Sequence, residues 1–121
     1  MYGGLEGAVD AKAIPLAGLD GTGGERRNKW LDLLTSDGVS PRSGGVRRIA
    51  YALAYHANNK TFILWPGITL LADRQAMGEN TVRHAFRWLV ENGWLIVIDK
   101  GGGRGHPKKY VLSIPPWALE E

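Results

Sequence analysis

Residues 65–95, WPGITLLADRQAMGENTVRHAFRWLVENGWL, decide how this 121-residue chain folds. Pro66 and Gly67 break the segment before them and open an apolar run to about Ala76, in which Ile68, Leu71 and Ala72 face inward. Met77 and Gly78 then make a turn, and Gly78 can cap a second helix. From Glu79 to Asn92, stepping about 100° per residue gathers Val82, Ala85, Phe86 and Leu89 on one side. Asn80, Arg83, His84, Arg87 and Glu91 fall on the opposite arc. Trp88 lies beside the apolar face, where packing is its expected role. Gly93 suits the left-handed stop that ends many helices. The stretch therefore predicts two short helices joined by a tight turn.

Working outward, Trp94–Asp99 and Tyr110–Ile114 read as partner strands around the loop Lys100–Lys109, KGGGRGHPKK. Upstream, Thr61–Trp65 is β-branched and aromatic enough for a small strand. Ser43–Asn59 predicts a helix with Val46, Ile49, Ala50, Leu53 and Ala57 on one stripe, and Arg48, Tyr51 and Tyr55 on the other side. Glu25–Ser36 predicts a further helix with Trp30, Leu33 and Leu34 on one face, ended by Asp37-Gly38 and Ser40-Pro41. The expected fold class is α+β, mainly helical, with a small antiparallel sheet and an extra N-terminal helix. Residues 1–24, with seven glycines and few large apolar side chains, read as a flexible arm. Residues 25–115 read as the domain and 116–121 as a tail.

Composition narrows the chemistry. The absence of cysteine excludes a disulfide framework and thiolate metal sites. His56, His84 and His106 lack the spacing of a zinc helix, and no nucleophile elbow occurs. No catalytic residue, metal site or cofactor is expected. No apolar run reaches the length needed to cross a bilayer and no signal peptide is visible, so no membrane partner and a cytoplasmic location are expected. The net charge of +3 is small, but it is unevenly placed. Residues 74–109 carry seven basic side chains against Glu79, Glu91 and Asp99, which points to a polyanionic partner.

The outer arc of the 79–92 helix fits that partner. Arginine can pair with guanine O6 and N7, and asparagine with adenine N6 and N7. Asn80, Arg83 and His84 sit at the N-terminal end, which meets base edges when such a helix enters a major groove, whereas Arg87 stands one turn further on at phosphate reach. An ordinary solvated helix face carries the same residue types, and the neighbouring turn and hairpin are what favour the groove. Glu79 is expected to favour the positive end of the helix dipole rather than to accept from cytosine N4. Thr81 and Ser43, taken by themselves, read as local backbone partners. In the loop, Lys100, Arg104, Lys108 and Lys109 give four firm charges and His106 a neutral donor, on glycines that allow close approach to phosphate. The loop lacks the Gly-Lys-Ser/Thr end of a nucleotide-binding loop.

Residues 47–112, from RRIAYALAYHANN to KKYVL, resemble the winged helix-turn-helix domains of phage and plasmid replication proteins and related bacterial regulators. The resemblance rests on His56-Ala57-Asn58, Trp65-Pro66, Ile68–Gln75, Thr81-Val82, Asn92-Gly93 and the glycines from Gly101 to Gly105. It implies sequence-specific binding of double-stranded DNA, with Asn80, Thr81, Arg83, His84, Arg87 and the loop residues Lys100, Arg104, His106, Lys108 and Lys109 facing it. The setting implied is plasmid or phage replication, partition or transcriptional control. Ala76 stands where such domains carry a turn glycine, so a left-handed backbone there would cost about 1–2 kcal/mol. Gly78 replaces the usual serine cap.

One such module contacts few base pairs, so a homodimer or multimer on repeated sites is expected. Trp30, Leu33, Leu34, Tyr51 and Tyr55 offer apolar surface for that contact, or alternatively for packing the first helix on the second. The rival reading is a protein-interaction module on the same scaffold.

Overall fold

The computed structural model describes residues 13–36, 44–65, 67–102 and 108–119. Its order is β1 (Ile14–Pro15), a 3-10 turn at Leu16–Gly18, α1 (Gly23–Leu34), α2 (Gly44–His56), β2 (Ile63–Leu64), α3 (Ile68–Arg74), α4 (Glu79–Glu91), β3 (Leu95–Asp99), β4 (Lys109–Ile114) and α5 (Pro116–Leu119). The class is α+β and mainly helical, with a small antiparallel sheet. β4 is the common partner: β1, β2 and β3 all pair with it, antiparallel. No described helix is long and apolar enough to cross a membrane.

The helix periodicities hold. α2 buries Val46, Ile49, Ala50, Leu53 and Ala54, and α4 buries Val82, Ala85, Phe86 and Leu89, the stripe its spacing predicts. α3 adds Leu71 and Ala72, and Trp94, Leu95 and Leu112 close the core from the sheet. A buried leucine- or phenylalanine-sized side chain contributes about 1.5–3 kcal/mol, so this shared core is what fixes α4 in place.

Both ends of the α3–α4 unit close by the same turn. After α4, Gly93 adopts φ 86°, its amide donates to Val90 O at 3.2 Å, and the Trp94 amide donates to Leu89 O at 2.8 Å. After α3, the Ala76 amide donates to Asp73 O at 3.2 Å and the Met77 amide to Ala72 O at 2.9 Å, with Ala76 itself at φ 54°. The helix thus stops at Arg74 rather than near Ala76, and Ala76 takes the costly left-handed backbone that such domains assign to a glycine. Gly78, extended at φ -72° and ψ 150°, is the N-cap of α4 and offers no side-chain cap. From α2, the Arg48 guanidinium donates to the carbonyl of Gln75, which supports the turn from outside.

The expected arm is corrected in part. Ile14 and Pro15 pair with Ile114 and Ser113, and Leu16 is fully buried, so residues 13–24 belong to the fold. α1 begins two residues before Glu25 because Thr22 and Glu25 form a reciprocal cap. The Glu25 amide donates to Thr22 Oγ1 at 3.1 Å, and the Thr22 amide donates to Glu25 Oε1 at 2.8 Å. Hydrogen bonds from the Thr22 amide and hydroxyl hold the Glu25 carboxyl below its usual range. The 116–121 tail is corrected likewise: Pro116–Leu119 is a helical turn that buries Ala118 and sets Trp117 edge-on to Trp94, ring centroids 6.0 Å apart.

The apolar face of α1 is not a dimer surface. Trp30 and Leu34 are fully buried, and Leu33 is half-buried against the core. The Trp30 indole N–H donates to the carbonyls of Trp94 at 3.1 Å and Ser113 at 2.8 Å, which ties α1 to the β3–β4 pair. Arg27 donates to Ala54 O at 2.5 Å and Ala57 O at 3.4 Å and also reaches the Asn59 side chain, so it satisfies the carbonyl end of α2. Of the five residues offered for self-association, Tyr51 and Tyr55 alone stay exposed.

Candidate nucleic-acid interface

α4 presents the polar arc that its sequence predicts. Asn80, Thr81, Arg83, His84 and Arg87 are all exposed. The side chains of Asn80, His84 and Arg87 make no hydrogen bond or ion pair with another described residue, so the fold does not use them. Arg83 is held: its Nη2 lies 3.2 Å from Glu79 Oε1, one helical turn back. The other Glu79 oxygen, Oε2, accepts from the Thr69 hydroxyl at 3.2 Å. Glu79 therefore bridges the start of α3 to the start of α4, and it also places negative charge at the positive end of the α4 dipole. Its structural role is the one expected. The Arg83–Glu79 pair is about half exposed on both sides, and such pairs contribute only about 0.3–0.5 kcal/mol. Releasing Arg83 to a ligand costs little.

The hairpin stands beside this helix. A hollow of about 480 Å³ between α4 and the β3–β4 pair is lined by Arg83, Arg87 and Lys108, with Glu91 the one carboxylate among its described residues and Phe86 and Tyr110 in its wall. Lys108, which lies far beyond α4 in sequence, thus shares one concavity with the two arginines of that helix. Lys108 Nζ stands 5.8 Å from the centre of the Tyr110 ring, and that ring packs at 5.1 Å on Phe86, so the amine is steered toward α4. Burial pushes the Tyr110 phenol up, keeping the ring neutral beneath the amine. The strand is drawn off its register by an irregularity between Val97 and Asp99. Beyond it, the Gly101 amide donates to Asp99 Oδ1 at 2.9 Å, and Gly101 and Gly102 take φ 71° and 122°. Lys100, exposed at this bend, adds another cation to the hairpin.

Lys109 is not with the others. Successive residues of a strand face opposite ways, and the Lys109 amine lies 5.6 Å from the ring of Trp65, whereas Lys108 lies against Tyr110. Arg104 and His106 fall outside the described residues. The sequence set therefore divides: Arg83, Arg87 and Lys108 line one hollow, Asn80 and His84 stand next to the two arginines on the exposed arc of α4, Thr81 is exposed off that arc, and Lys109 belongs to a different surface. Alternation along a strand separates Lys109 from Lys108, but the glycines and proline before them make both read as loop.

Sequence reasoning missed that second surface. A cleft of about 580 Å³ between the end of α2, β2 and α3 is lined by Ile63, Leu64, Trp65, Leu70, Leu71 and Arg74, among others. The exposed Trp65 and Leu70 were the available signal. No protein-family model, curated protein or solved structure matches the chain.

Proposed function

We propose that this protein binds double-stranded DNA as a winged helix-turn-helix, with α4 in the major groove and the β3–β4 hairpin on the adjoining backbone. The observation that supports the reading most directly is the convergence of Arg83, Arg87 and Lys108 on one hollow, continuous with an open α4 face whose Asn80 and His84 have no task in the fold. Helix, four-residue turn, helix and hairpin is the arrangement in which a second helix reads base edges with its N-terminal residues. Asn80 and Arg83 are then the base readers, while Arg87, Lys100 and Lys108 neutralise phosphate. Arg104 and His106, in the same loop, join them in this reading. The resemblance to phage and plasmid replication domains suggests a role at a replicon's own origin, partition site or promoter, with two copies on a repeated site.

Titration of duplex binding against salt tests this. Each phosphate neutralised adds about 0.9 to the slope of log K against log salt. Arg87→Ala should weaken all duplexes alike and flatten the slope by about one contact, whereas Arg83→Ala should relax sequence preference at one position and cost about 1–3 kcal/mol. A wild-type protein that binds no duplex at low salt, or a pair of variants that bind as it does, refutes the proposal.

A further inference from the structure

We infer that the cleft between the end of α2, β2 and α3 is a docking site for an acidic, amphipathic segment of a partner protein, separate from the α4 face. Its floor is apolar, made by Ile63, Leu64 and Leu71. Its rim carries two large side chains held in solvent: Trp65, 58% exposed, and Leu70, 52% exposed. Contiguous exposed apolar surface of this kind marks an interaction site on soluble domains, and tryptophan is prominent among residues that dominate binding energy. Charge sets the class of partner. Among the described residues no carboxylate lines the cleft, Arg74 lines it, and the Lys109 amine stands 5.6 Å from the Trp65 ring at its edge. An occupant with leucine-like side chains and flanking carboxylates satisfies both features. A nucleic-acid strand does so less well, because an apolar floor with so few cations gives its phosphates no track to follow.

Position gives the site its consequence. Ile68 of α3 lines the hollow beside α4, whereas Leu70, Leu71 and Arg74 line the cleft, so the two open on different sides of α3. A partner seated here leaves Asn80, Arg83 and Arg87 uncovered, and the domain can hold DNA and protein together. The peptide contacts use none of the α4 residues, so this site stands or falls independently of DNA binding.

The test uses the full chain and two labelled synthetic helical peptides that share leucines at i, i+3, i+4 and i+7, one filled out with glutamate and the other with lysine. Fluorescence anisotropy should show saturable binding of the glutamate peptide and at least about tenfold weaker binding of the lysine peptide. Trp65→Ala should weaken the glutamate peptide by about tenfold or more, and Arg74→Glu should reverse the preference between the two peptides. Both side chains are exposed, so the variants keep the fold, which far-ultraviolet circular dichroism verifies. Absence of glutamate-peptide binding, equal binding of the two peptides, or indifference to Trp65→Ala overturns the inference. So does displacement of the glutamate peptide by single-stranded oligothymidine from the wild type but not from Trp65→Ala, which would assign the cleft to nucleic acid.

Discussion

Replacing Glu79 by glutamine should lower the stability of this protein while raising its affinity for duplex DNA. That split separates a carboxylate that braces α4 from one that reads a base. Both of its oxygens are occupied within the fold, Oε1 by Arg83 and Oε2 by the Thr69 hydroxyl, each at 3.2 Å. Glutamine keeps the length and one acceptor but removes the charge. The exposed pair with Arg83 accounts for about 0.3–0.5 kcal/mol, and the negative charge in the first turn of α4 for about 0.3–1 kcal/mol. The loss on folding is then roughly 0.5–1.5 kcal/mol, read as a shift of the urea midpoint with tryptophan fluorescence. On DNA the balance reverses, because Arg83 no longer has to leave a carboxylate and one negative charge is withdrawn from the phosphates. A gain of about 0.5–1 kcal/mol corresponds to about two- to fivefold tighter binding in fluorescence anisotropy at fixed salt. If affinity instead falls, and falls for duplexes with a cytosine at one position, Glu79 is accepting from cytosine N4 and its assignment as a brace is refuted.

Two further substitutions test the turns that hold the frame. Ala76→Gly removes a left-handed strain of about 1–2 kcal/mol and gives back about 0.5–1 kcal/mol in unfolded-chain entropy. Ala76 is exposed and loses no packing, so thermal denaturation should show a gain of roughly 0.5–1 kcal/mol, and an unchanged or lower midpoint contradicts the assigned backbone. Gly23→Ala would set a Cβ 2.6 Å from the Asn59 carbonyl oxygen, so α1 must shift from the turn after α2, and urea unfolding should show a loss of about 1–3 kcal/mol.

What could be read in advance was what repeats locally. The apolar stripe of α4, its glycine stop at Gly93 and the turn between α3 and α4 are all encoded within a few residues of where they act. The left-handed Ala76 was less legible, because alanine favours the helix and the apolar run carries on to it, whereas the helix ends at Arg74. What the apolar face of α1 covers stays open between two alternatives in the sequence, for the opposite reason. Its cap lies in Thr22-Gly-Gly-Glu25, where glycines mask the spacing, and its anchor, Trp30, bonds carbonyls 64 and 83 residues away. An apolar helix face looks the same in sequence whether its partner is another molecule or the far end of its own chain. Nor could periodicity have disclosed the Trp65 cleft, because it is assembled from the ends of α2, β2 and α3.

The division of labour along α4 makes the DNA proposal separable from stability. Val82, Ala85, Phe86 and Leu89 hold the helix, Gly93 ends it, and Arg48 supports the turn before it through the Gln75 carbonyl. Asn80, His84 and Arg87, on the outward arc, contribute to none of these contacts. Substitutions of exposed side chains away from such features usually change stability by no more than about 0.5 kcal/mol. A loss of DNA binding larger than that, at Asn80 or Arg87, therefore cannot be charged to the fold. Among the described residues, Arg83 and Glu79 are where frame and face share an ion pair, and for that reason Glu79, rather than any of the outward cations, is the position at which folding and binding must move in opposite directions.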